Sequence, residues 1–145
     1  MTQTAEQTVS TLEEYAVYCL DRSADGLKSL AWIARECGQC FEDGRDAEAL
    51  ERFSQIANGI HGFNVFECRL VEDLMIDREQ LVLDGRTYAD AVTSLRDLLP
   101  VLVDSLDSSD TETLHSLVAS ELPSQLNAVA AFLPVFSETI RGTEA

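Results

Sequence analysis

Residues 9–41 read VSTLEEYAVYCLDRSADGLKSLAWIARECGQCF, and their spacing decides the fold. Val9, Leu12, Ala16, Cys19, Ser23, Leu27, Leu30, Ala34, Cys37 and Phe41 recur at steps of three and four. That period keeps one stripe on one side of an α-helix of about nine turns. A helix of this length cannot bury its stripe against itself, so it requires other long helices beside it. Ser10 and Glu13 have capping-box spacing, which places the regular start of the helix at Ser10. Asp25-Gly26 interrupts the run at a cost of about 1 kcal/mol relative to alanine. The apolar phase is nevertheless the same on both sides, so one continuous or kinked helix is expected. Glu42-Asp43-Gly44-Arg45 is its stop signal.

The rest of the chain supplies the other helices. Asp46 is expected to cap a second one with the stripe Leu50, Phe53, Ala57, Ile60, Asn64, Cys68, Val71 and Met75, ending near Asp77. Gly59 and Gly62 weaken it locally and permit close approach of a neighbour. Residues 79–86 are the least regular, an apolar triplet Leu81-Val82-Leu83 followed by the turn signal Asp84-Gly85. A third helix is expected from about Thr87 to Leu106, with Val92, Leu95, Leu98, Leu99, Leu102, Val103 and Leu106 on its stripe and a kink at Pro100. Ser109 and Glu112 again have capping-box spacing. The fourth helix carries Leu114, Leu117, Val118, Leu122, Leu126, Val129, Leu133, Phe136 and Ile140, bent or divided at Pro123 and Pro134. No alternating strand pattern occurs. The expectation is an entirely helical, all-α chain: an antiparallel up-down four-helix bundle in a single domain over 1–145, with 1–7 and 142–145 disordered.

Composition narrows the function classes. The formal charge is −16 over 145 residues, with 46% apolar residues. Such a surface repels phosphate backbones and anionic lipid, so no nucleic-acid or membrane partner is expected. A basic protein partner suits the charge. The first ten residues lack the basic and apolar regions of a signal peptide, and no apolar stretch reaches the roughly 18 residues of a spanning helix. A cytoplasmic location follows as the expectation, and there Cys19, Cys37, Cys40 and Cys68 are thiols.

Several residues invite a chemical reading. Cys37-Gly38-Gln39-Cys40 is a C-x-x-C, but it sits at a helix C-terminus, where the dipole opposes a thiolate. All four cysteines are read as small buried hydrophobes, with no metal and no cofactor. Glu112-x-x-His115 has the spacing of a di-iron bundle, but the second such motif is missing, since Asn58 stands three residues before His61. His61-Gly62-Phe63-Asn64-Val65 partly resembles the His-x-x-Lys-Gly motif of histidine phosphotransfer domains. Asn64 replaces the lysine and Val65 the glycine, which removes both the charge and the room for a phosphoryl group. Trp32 lies opposite the stripe of the first helix, with Tyr18 near its edge. Either it marks a contact surface or Leu81-Val82-Leu83 folds over it. Residues 127–136 are apolar nearly all round. Either other helices surround Phe132, Val135 and Phe136, or these contact a partner or a second copy.

Four segments carry a resemblance. Residues 44–50 (Gly-Arg-Asp-Ala-Glu-Ala-Leu), 60–63 (Ile-His-Gly-Phe), and 105–110 with 117–123 resemble a family of small acidic bacterial helical-bundle proteins of no assigned activity. Ser120 stands where that family carries a tyrosine. More loosely, the chain is similar to the flagellin-export chaperones, acidic bundles that hold amphipathic helices of a partner. The leading expectation is a non-enzymatic interaction protein, a chaperone or adaptor that binds a partner helix or self-associates as a homo-oligomer. Trp32, Tyr18, Phe132, Val135 and Phe136 are the candidate contacts on the residue reading. The alternative is a degenerate phosphotransfer-like signalling module centred on His61. A metal or redox bundle using Glu112, His115 and the cysteines comes third.

Overall fold

The computed structural model describes residues 4–142, with side chains over 13–142 apart from that of residue 111. Helix α1 (Thr4–Glu42) is unbroken through Gly26, as the constant apolar phase requires. Its 39 residues span about 58 Å. It begins before Ser10, which therefore lies inside the helix and is not its cap. Residues 4–7, assigned to a disordered terminus, are its first turn; residues 1–3 and 143–145 lie outside the described residues. Gly44 ends it in a left-handed conformation (φ 77°). The Arg45 N–H then donates to the Cys40 carbonyl at 2.8 Å and the Gly44 N–H to that of Phe41 at 3.2 Å.

Helix α2 (Asp46–Leu74) follows at once. Arg45 holds the cap position without a side-chain bond, and Asp46 is the first helical residue. The expected Asp46 cap is thus corrected: Asp46 and Glu48 instead set negative charge against the positive end of the helix dipole. The buried line is Ala49, Ile56, Ile60, Phe63 and Glu67, rotated from the expected stripe. Leu50 is 44% exposed and Met75 is 90% exposed. The rotation has a cause that apolar pattern alone misses, because the true line includes a carboxylate.

The expectation of an entirely helical chain is corrected at 82–87. Strands β1 (Val82–Leu83) and β2 (Arg86–Thr87) pair antiparallel around Asp84 (φ 52°) and Gly85 (φ 78°). Positive φ at both central residues is the two-residue hairpin turn for which Asp-Gly is suited. A 3₁₀ turn (Arg78–Gln80) precedes it, capped by Asp77, whose carboxylate accepts the Glu79 N–H at 3.0 Å. Leu81 is buried in the core, and its carbonyl accepts the Tyr88 N–H at 2.8 Å. The ladder is two residues long on each side and the class remains all-α.

Helix α3 (Tyr88–Asp107) is capped by Thr87, which accepts the Asp90 N–H at 3.1 Å, and it accommodates Pro100 on an exposed face. Ser109 is left-handed (φ 59°), so the cap of α4 (Thr111–Ser116) is Asp110, which accepts the Thr113 N–H at 3.2 Å. The expected Ser109–Glu112 capping box is corrected accordingly. A π-helical turn over Leu117–Glu121 leads into α5 (Leu122–Gly142). Pro123 lacks an N–H and its ring crowds the carbonyl four residues back, so a widened turn before it relieves the clash.

Helix α1 packs against both α2 and α5, and α3 packs against α5. At the π turn α1 comes very close. A Cβ added at Gly38 would lie 2.9 Å from Ala119 Cβ and 3.2 Å from its Cα. That neighbour is backbone and cannot swing away. We expect Gly38→Val to destabilise the fold by about 1–3 kcal/mol, read from urea midpoints at unchanged m.

Candidate functional site

The candidate site is the outer face of α1. Trp32 is 60% exposed and Tyr18 is 54% exposed. Leu81 points into the core and leaves the indole uncovered, so the hairpin segment does not fold over it. Four residues past Tyr18, Arg22 donates from Nη1 to the phenol oxygen at 2.8 Å and lies 5.6 Å from the ring centroid. Tyr15, 64% exposed, stacks on Tyr18 with ring centroids 6.4 Å apart. Three large aromatic side chains thus stand in water on one helix, two of them braced by each other and a guanidinium. Tyr15 joins the candidates from the structure; its i,i+3 spacing from Tyr18 was the available signal.

Phe132 and Phe136 are corrected as contact candidates. They are 3% and 0% exposed, and they enclose Tyr88 at centroid distances of 5.6 and 5.9 Å, the second edge to face. Val135 is partly buried against the same core. One side of α5 is therefore core, while Ser124, Ala131, Pro134 and Glu138 face solvent, so the segment reads as apolar all round because small apolar residues occupy part of its exposed side.

Beside Tyr88 lies a buried ionic cluster. Glu67 is 1% exposed on α2 and accepts two bonds from Arg78, one of them from Nε at 2.9 Å. Arg78, on the 3₁₀ turn, also reaches Cys68 Sγ at 3.7 Å, and Arg96 of α3 reaches it at 3.3 Å. Burial and the adjacent Glu67 carboxylate push Tyr88 ionisation far above the ordinary tyrosine range. This cluster joins α2, the turn and α3, and it replaces the apolar contact that Cys68 was expected to make. Cys68 is exposed, not a buried hydrophobe.

The other candidates do not converge. Cys37 and Cys40 are buried, and the Cys37 thiol donates to the Ala49 carbonyl at 3.3 Å. Burial, with Cys40 next to it, pushes Cys37 up to about 11. A thiol so raised is opposite to a redox C-x-x-C, whose chemistry needs the thiolate. Cys19 is half-buried. His115 meets Glu42 at 3.8 Å, and Glu112 is exposed. Among the described residues, no three His, Cys, Asp or Glu side chains gather as a metal site. His61 faces solvent in a shallow cleft with Asn64, Val65, Arg69, Glu72 and Asp73.

Cys37 and Tyr88 give a pH prediction. Both are neutral when protonated and both have folded-state values raised. Their stabilisation is fully present below the unfolded-state values and is lost as pH rises through the folded ones. Stability should therefore be flat near neutrality and fall above about pH 9, by up to about 1.4 kcal/mol per pH unit for each group. Urea titrations at pH 7, 9 and 10.5 check this; Cys37→Ala should make the alkaline slope shallower.

The fold and the site define an acidic all-α protein with a minor hairpin and exposed aromatic side chains on its longest helix. No family model, curated protein or solved structure matches the chain. Among the described residues no helix is long and apolar enough to cross a membrane.

Proposed function

We propose that the chain is a non-enzymatic interaction protein, an antiparallel up-down four-helix bundle that binds a partner protein through the outer face of α1, in the manner of a cytoplasmic chaperone or adaptor. The observation that carries this reading is Trp32, 60% exposed in the middle of a helix and opposite its buried side. Tryptophan so placed gives up apolar surface to water, and such side chains anchor protein interfaces. Tyr18 and Tyr15 extend the contact along the helix. The charge of −16 opposes self-association and favours a basic partner. The burial and raised value of Cys37 speak against redox chemistry at the C-x-x-C. The His61 cleft bears Glu72 and Asp73 against a single Arg69, which speaks against a phosphoryl dianion there.

The test is quantitative capture from a lysate of the source cells. Truncating an interface tryptophan costs about 2 kcal/mol or more, so Trp32→Ala should weaken capture roughly thirtyfold. The melting curve should not move, because exposed positions rarely contribute more than about 0.5 kcal/mol. Equal capture by parent and variant rejects the face. Stable phosphorylation of His61 by a histidine-kinase donor would favour the signalling alternative.

A further inference from the structure

We propose that the cleft between α1 and α2 is a docking groove for a basic amphipathic helix of a partner protein. This rests on the interaction reading above and assigns that partner a second contact. The cleft holds about 320 Å³ and is floored by Leu27, Leu30, Phe63 and Phe66, with Gly26 and Gly62 at its lips.

The glycines carry the first part of the argument. Gly59, in the same helix, is explained within the chain, because a Cβ there would strike Leu30 Cδ1 at 2.7 Å. Gly38 is explained likewise by Ala119. Gly26 and Gly62 are not: a Cβ at either meets nothing within 4 Å, and neither has positive φ. Each still costs its helix about 1 kcal/mol relative to alanine. No contact among the described residues accounts for that cost. What both glycines do is keep the apolar floor open to a side chain from outside.

Charge selects the occupant. Glu48, Glu51, Gln55, Gly62, Phe66, Arg69 and Asp73 recur every three to seven residues on one face of α2. A second cleft, of about 370 Å³, lies along this face and is lined by Glu48, Glu51, Arg52 and Gln55. Its arginine is committed to Glu36 at 3.4 Å and its Glu48 to Arg45 at 2.8 Å, which leaves Glu51 as the carboxylate that a partner can take. Glu51 has no ion pair among the described residues. The face therefore offers an apolar slot and, about three turns away, an acidic one. A helix that inserts a Leu or Phe into the first can set a Lys or Arg into the second, the helix-in-groove mode. A second copy of this chain would bring another −16 to the same surface.

A synthetic helical peptide of about 18 residues tests this, with paired leucines at one end and lysines three turns away. Its affinity is read by anisotropy against the intact protein. The expected result is saturable binding that falls at least tenfold in Gly62→Phe and in Glu51→Lys, and equally for a peptide with glutamates in place of lysines. Both glycine-lip variants (Gly62→Phe and Gly26→Leu) should melt no lower than the parent, since their side chains enter open space. Absent binding, equal binding of the acidic peptide, or an affinity unchanged in Gly62→Phe overturns the proposal. A concentration-dependent dimer that Gly62→Phe abolishes also overturns it, by making a second copy the occupant. Trp32-dependent capture that survives Gly62→Phe would leave the α1 face standing while this groove falls. Capture sensitive to Gly62→Phe but not to Trp32→Ala would do the reverse.

Discussion

Arg78→Ala lowers the unfolding free energy by about 3 kcal/mol or more and the melting temperature by roughly 10 °C. The substitution leaves Glu67, 1% exposed, without the guanidinium that donates to its carboxylate and neutralises its charge. Removing one member of a buried pair strands the other, which typically costs 3–5 kcal/mol. The estimate sits at the low end because Arg78 is 27% exposed, so water reaches the vacated space. Glu67→Met combined with Arg78→Met should recover most of the loss, since a buried ion pair is often no better than apolar residues of similar size. Thermal and urea unfolding of the two variants give the comparison. A loss below about 1 kcal/mol for Arg78→Ala would mean that the cluster is not a structural joint.

Phe136→Ala has a comparable effect for a different reason. Phe136 is fully buried, edge to face with Tyr88, and truncation of such a ring leaves a cavity that the core fills only in part. The expected cost is about 3–5 kcal/mol. Set beside Trp32→Ala, expected near zero, it separates two aromatic side chains that the sequence offered for one role. If both variants unfold to a similar extent, the indole is core in solution and the proposed face is lost.

How far the sequence was legible follows from which interactions are local. Helical period is a property of neighbours three and four apart, so α1 through Gly26 and the α5 line from Leu122 to Ile140 could be read directly. The α2 line could not, because Glu67 enters the core only through Arg78, eleven residues later on a different element. A carboxylate read alone belongs on the surface; read with its partner it belongs inside. The hairpin was signalled by Asp84-Gly85, but strands of two residues give no alternation to detect. The period puts Trp32 opposite the α1 stripe, where it is 60% exposed, while the burial of Phe132 and Phe136 depends on which elements pack against α5, which spacing along α5 does not encode. The open lips at Gly26 and Gly62 were invisible for the same reason. A glycine that a neighbour requires and one that nothing requires look alike in a string of letters.

Trp32 is the chain's single tryptophan, so a fluorine-labelled indole reports this one position by ¹⁹F NMR in a lysate of the source cells. The interaction account predicts a resonance that shifts or broadens in the lysate relative to buffer. Excess unlabelled parent should restore the free signal, and excess unlabelled Trp32→Ala should not. A resonance identical in lysate and buffer, or equal restoration by both competitors, would contradict it.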